Sequence, residues 1–132
     1  MNQGFVLATV LLMAALLASS AILLYAMATT DVQIAHNVRL HTRAKNTAAS
    51  GLEHFKSLGL HYEDLEQMEE NQGEEFLVLE GFTAAEDRYR VTVVLSEDEV
   101  FYVYSTGTHE RGGQVVASAQ LAASFQSLWL QK

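Results

Sequence analysis

The chain has 132 residues, with 16 acids against 8 lysines and arginines, a net charge of -8, and neither cysteine nor proline. Without cysteine there is no disulfide, thiolate metal site or thiol nucleophile, and an acidic chain lacks the clustered Lys and Arg that a phosphate backbone requires, so no nucleic acid partner is expected. No Asp, Glu, Lys, Arg or His precedes Asp31, and the roughly 100 residues that follow suffice for one small core.

The first element is apolar. Phe5 to Ala28 is interrupted only by Thr9, Ser19, Ser20 and Tyr25. As a helix these 24 residues cover roughly 36 Å, enough to cross a hydrocarbon core of about 30 Å. Small residues fall one turn apart, Ala14 with Ala18 and Ala15 with Ser19, a spacing that lets helix backbones approach closely in lipid. Two readings of such a head compete. A secretory signal peptide would be cleaved after Ala28, where Ala26-Met27-Ala28 supplies the small-x-small pattern, but the run is long for one and no basic residue precedes it. A plain single-pass anchor would leave a membrane-tethered periplasmic binding domain, where cleavage after Ala28 would release a secreted one. Arg39, Arg43 and Lys45 all follow the span, which by the positive-inside rule would place the remainder in the cytoplasm.

No glycine lies between Gly4 and Gly51, so nothing stops the helix as it leaves the apolar run. Past Asp31 it turns amphipathic, with Val32, Ala35, Val38, Ala49, Leu52 and Phe55 marking one face. Gly59 is the expected stop, with Lys56 in the last turn. The next segment, 61–75, carries seven acids and no base, and reads as a short helix with a solvated acidic face ending at Asn71 to Gly73. The acids lack the alternation of a calcium loop, so no metal site is expected. From Glu75 the period becomes two. "EFLVLEGF", "RYRVTVVL", "VFYVYST" and "GQVVASAQLAASF" predict four antiparallel strands, with turns at Ser96 to Glu99 and Thr108 to Gly113. The sheet's apolar face must be covered, and the second half of the helix offers the match, with Leu52 and Phe55 at the seam. Trp129, in "SLWLQK", falls to a last edge strand or a packed tail.

Chemistry is sparse in this pattern. His36, His41, His54, His61 and His109 show no metal-ligand spacing and are expected to face solvent. There is no G-x-S-x-G elbow, no phosphate-cradling glycine loop and no apolar pocket around the carboxylates of 63–75. Neither catalytic activity nor a cofactor is expected.

Three stretches carry a family likeness. Gly4-Phe5 heads the apolar run, "HNVRLHTRAKNTAASGLEHF" follows from His36 to Phe55, and "YSTGTHERGGQVVASAQL" runs from Tyr104 to Leu121. Together they resemble type IV pilin-like proteins, and among them the PilX-type minor pilins. The resemblance implies an α+β fold, in which a long N-terminal helix packs on a small antiparallel sheet. It implies three parts: a leader 1–4, a transmembrane and filament-core helix 5–30, and a periplasmic domain 31–132 made of helix 31–58, acidic segment 61–75 and sheet 75–130. It further implies a prepilin peptidase that cuts between Gly4 and Phe5 and methylates the new amine of Phe5. The short uncharged leader departs from the common basic one. Counted from Phe5, the fifth residue is Thr9, where major pilins carry a glutamate that pairs with a neighbour's amine. PilX-type proteins and the K-type pseudopilin of type II secretion resemble this chain in having a neutral residue there. The implied partners are other pilins or pseudopilins, the inner-membrane assembly platform and membrane lipid, with Thr9, Ala14, Ala15, Ala18 and Ser19 on the subunit-packing helix. The implied setting is the bacterial inner membrane, then a type IV pilus or type II secretion pseudopilus, at low copy in a priming or tip complex.

Overall fold

A computed structural model describes residues 2–58, 68, 71–96, 98 and 100–126. The fold is α+β: a long helix, α1 (Asn2–Leu58), precedes four strands, β1 (Glu75–Ala84), β2 (Asp87–Leu95), β3 (Val100–Arg111) and β4 (Gln114–Gln126), among the described residues. The chain divides into two compact units, Met1–Val38 and Arg39–Lys132. The first consists of α1 alone. Asn2 through Val38 are exposed throughout, including Val32, Ala35 and Val38, which the sequence had placed on the sheet-facing stripe.

In the second unit the strands form an antiparallel meander in the order β1-β2-β3-β4. Two-residue turns close two of its hairpins. Ala84 pairs with Asp87 across Ala85 and Glu86, and Arg111 pairs with Gln114 across Gly112 and Gly113. The latter two have φ of 60° and 80°, the left-handed conformation that a tight hairpin needs at both central positions and that glycine adopts without steric cost. The expected turn from Thr108 is therefore shorter than predicted, because β3 continues through His109 to Arg111. Ser96 N–H donates to the Val100 carbonyl at 2.9 Å and closes the β2–β3 turn.

Alternation along β2 and β3 decides what the sheet buries. Tyr89, Val91, Val93 and Leu95 on β2, with Phe101 and Val103 on β3, point inward and join Phe55 and Met68 in one core cluster. Leu52 is half-buried and packs against it. Val91, Val93 and Val103 are fully buried, each contributing roughly 1.5 to 3 kcal/mol of transfer free energy. Gly59, His61, most of the acidic segment and Trp129 lie outside the described residues, except that Met68 is helical and buried and Asn71–Gly73 form a turn.

The helix that covers this sheet does so with small residues. Ala44, Thr47, Ala48, Gly51 and Phe55 are its buried positions, spaced three and four apart. Ser105 Oγ donates to the Ala48 carbonyl at 2.7 Å, which fixes the backbone of α1 close over β3. A side chain on Gly107 would run into the Ala44 carbonyl and the Ala48 amide, and one on Gly51 into Ser105 and the Tyr89 ring. The seam thus rests on close backbone approach along Ala44–Gly51, with Phe55 supplying the large apolar contact at its end.

Candidate functional site

The residues singled out from the sequence fall into three places. The first is the apolar portion of α1. Phe5 is 76% exposed, and Thr9, Ala14, Ala15, Ala18 and Ser19 are exposed with it. Every hydroxyl of a Ser or Thr between Phe5 and Thr30 donates to a carbonyl of its own helix. Thr9 bonds Phe5, Ser19 bonds Ala15, Ser20 bonds Leu16, and Thr29 and Thr30 both bond Ala26, all at 2.8 to 2.9 Å. These polar groups need neither water nor a partner, as a hydrocarbon environment demands. Among the described residues this is the one helix long and apolar enough to cross a membrane. It is compatible with single-pass anchoring. An uninterrupted apolar surface of this kind marks a membrane or protein interface.

Gly4 contrasts with the seam glycines. Nothing lies within 4 Å of a Cβ placed there, and its φ is not in the left-handed region. The fold makes no demand for glycine at position 4. At Gly51 and Gly107 it does.

The second place is a polar network that joins α1 to the sheet. Arg43 Nε donates to Asp87 Oδ2 at 2.8 Å, and His109 Nδ1 lies 2.6 Å from Asp87 Oδ1. Asp87 and His109 are each 4% exposed, so the expectation that the histidines face solvent fails at His109. His54 is exposed as expected, with its Nδ1 2.7 Å from the Tyr89 hydroxyl. His36 and His41 are exposed. Register explains the buried pair. Asp87 is the cross-strand partner of His109, and both point to the helix-covered face at the hairpin end of the sheet. Burial pushes the Asp87 carboxyl up, but the hydrogen bonds from Arg43 and His109 and their charges outweigh it and hold the group below the usual carboxylate range. On the opposite face Glu80 bonds Arg90 and Arg88 at 2.6 and 2.9 Å, and these two bonds likewise lower its carboxyl.

The third place is beside this network. Arg39, Thr42, Arg43, Asn46, Thr47 and Ser50, one stripe of α1, together with Thr83 and Asp87 line an open groove of about 560 Å³. Arg39 has no carboxylate in ion-pair range among the described residues, and Arg43 uses only Nε. Sequence reading did not single out this groove, because its members are ordinary surface residues until the β1–β2 hairpin is folded beside them. Their helical spacing was the available signal. Among the described residues no group of His, Asp and Glu could hold a metal ion. No protein-family model, curated protein or solved structure matches the chain.

Proposed function

We propose that this chain is a minor pilin or pseudopilin, a structural subunit that takes part in assembling or priming a type IV pilus or a type II secretion pseudopilus. The carrying observation is the division of labour along α1. Up to Thr30 it is uncharged and exposed, with its Ser and Thr hydroxyls bonded within the helix, and its buried positions from Ala44 to Phe55 pack on a four-stranded sheet. A subunit stored in the inner membrane and later packed among like helices needs both. On this reading residues 1–4 are a leader removed by a prepilin peptidase, Phe5 becomes the methylated N-terminus, and 31–132 lies in the periplasm. The glycine at position 4, which the fold does not require, is then explained by the peptidase, because a residue without a side chain lets the backbone enter a protease site.

Thr9 supports a low-copy position. Its hydroxyl is already bonded to the Phe5 carbonyl and carries no charge, so it cannot form the ion pair that a glutamate would make with a neighbour's amine. An unpaired carboxylate in lipid is costly, so a subunit without that pair suits a place where the repeating contact is not made. Quantitative mass spectrometry of sheared filaments tests this. The chain is expected well below the major subunit in abundance. Finding it as the most abundant protein, or not at all in filaments or their membrane-bound base, overturns the reading.

A further inference from the structure

The two edges of the sheet are built differently. β1 is interrupted by register shifts between Leu77 and Leu79 and between Phe82 and Ala84, and it carries Glu75 and Glu80. Bulges and charges are the usual protection of an edge against further pairing. β4, the other edge, has neither over most of its length. Its irregularity lies beside the hairpin turn, between the partners of His109 and Glu110, and from Ala117 to Gln126 its register with β3 is unbroken. No Asp, Glu, Lys, Arg or His falls on it, and no backbone group of another described element bonds to its outer edge. Its unpaired N–H and C=O groups are therefore open to a further strand.

The side chains of β4 say which strand fits. Ala117, Ala119, Leu121 and Ala123 pair with His109, Gly107, Ser105 and Val103, so they lie on the helix-covered side and are half-buried. Ser118, Gln120 and Ala122 are exposed on the other side. An antiparallel second copy centred on Gln120 sets Ala117 against Ala123, Ser118 against Ala122, Ala119 against Leu121 and Gln120 against itself. Every side chain keeps its face, and the two Gln120 amides can bond each other. Like charges directly opposite would defeat self-pairing, and this strand has none.

We infer that β4 is a self-pairing edge, which joins a second copy of this chain antiparallel through residues 117–123 into one continuous sheet. The contact is isologous, about a two-fold axis at Gln120 perpendicular to the sheet. The covering part of α1 runs antiparallel to β3, from Ala44 against Gly107 to Phe55 in the cluster with Phe101 and Val103. The axis reverses it, so the covering helices of the two copies point in opposite directions. Copies anchored side by side in one membrane cannot make this contact, and copies presented from opposite directions can. The inference stands on the sheet alone and goes beyond the filament-subunit reading.

The chain has no cysteine, so single cysteines report the register in the detergent-solubilised full chain, where copies are free to meet in any orientation. Gln120→Cys is expected to form a disulfide-linked homodimer. Ser118→Cys and Ala122→Cys are expected to link to each other when mixed and poorly to themselves. Tyr102→Cys, exposed on β3, gives the background. With Gln120→Cys as reporter, adding Ser118→Lys and Ala122→Lys sets lysine against lysine twice, and the yield is expected to fall about five-fold. Ser118→Glu with Ala122→Lys sets opposite charges at the same two exposed positions and is expected to restore it, which a loss through misfolding would not allow. A yield at 120 no greater than at 102 overturns the inference. So does self-linking at 118 and 122 as strong as at 120, or a yield that both charge variants lower alike. Cleavage at Gly4 is read separately by mass, so a correctly cleaved chain that gives no cross-link at 120 ends this inference and leaves the filament reading standing.

Discussion

Replacing Gly107 with alanine is expected to destabilise the second unit by about 3 kcal/mol, and valine by more. A glycine substitution in a strand with room for a side chain acts through backbone freedom and is neutral or slightly stabilising. Here the new Cβ meets the Ala44 carbonyl and the Ala48 amide, which are helix backbone and cannot swing aside as a side chain would. Overpacking a tight seam costs about 1 to 3 kcal/mol, and the rigid neighbour places this case at the upper end. Relief requires lifting α1 from β3, which would also break the Ser105 hydrogen bond to the Ala48 carbonyl. A domain of this size has about 5 to 15 kcal/mol to lose, and each kcal/mol moves its melting temperature by about 4 to 8 °C. A drop of more than about 12 °C in a thermal melt followed by circular dichroism is therefore expected. Gly4→Ala is the control. It meets open space within a helix and should leave the melt unchanged or slightly raised. A Gly107→Ala protein that melts within a degree or two of the parent would mean that the helix does not sit this close to β3.

Asp87→Ala is expected to cost about 2 kcal/mol near neutral pH, and the loss should vanish in acid. The substitution leaves Arg43 Nε and His109 Nδ1 without their acceptor. Breaking a fully buried ion pair costs more, but the Arg43 side chain is 47% exposed, so water takes over part of its demand. The sign with pH follows from the lowered Asp87 pKa. A carboxyl held below its unfolded value of about 4 stabilises the fold fully above that value, and the contribution is lost as pH falls through the lower folded value. The difference in unfolding free energy between parent and variant should be flat above about pH 5 and shrink below about pH 4. A difference that persists unchanged to about pH 2, or grows there, would show that Asp87 is not the charged centre of this network.

These two positions also mark where sequence reading stopped. Strands with large alternating residues were legible: Tyr89, Val91, Val93 and Leu95 announce an inner face, and Phe55 stands out as an aromatic one turn from the end of α1. The seam itself was not. Ala44, Ala48 and Gly51 carry little hydrophobic signal, and the stripe drawn through Val32, Ala35 and Val38 follows residue size into a region where those side chains are exposed. What holds helix to sheet is closeness, and closeness selects residues for what they lack. Gly107 illustrates the same point on β3. Glycines at 107, 112 and 113 look alike in sequence, yet only the last two turn the chain, while the first lets α1 approach. Asp87 and His109 are 22 residues apart and meet only through strand register, which no local pattern encodes. The apolar run from Phe5 to Ala28 was legible as a helix able to span a membrane, since its composition alone decides that. Its self-satisfied hydroxyls became visible only with coordinates.

The most direct test of the filament-subunit account is the intact mass of the full chain after co-expression with a prepilin peptidase. The account predicts a product lacking residues 1–4 and carrying one added methyl group on Phe5, with Gly4→Ile left uncut. A product lacking residues 1–28, or an uncut chain whose mass the peptidase does not change, would contradict it.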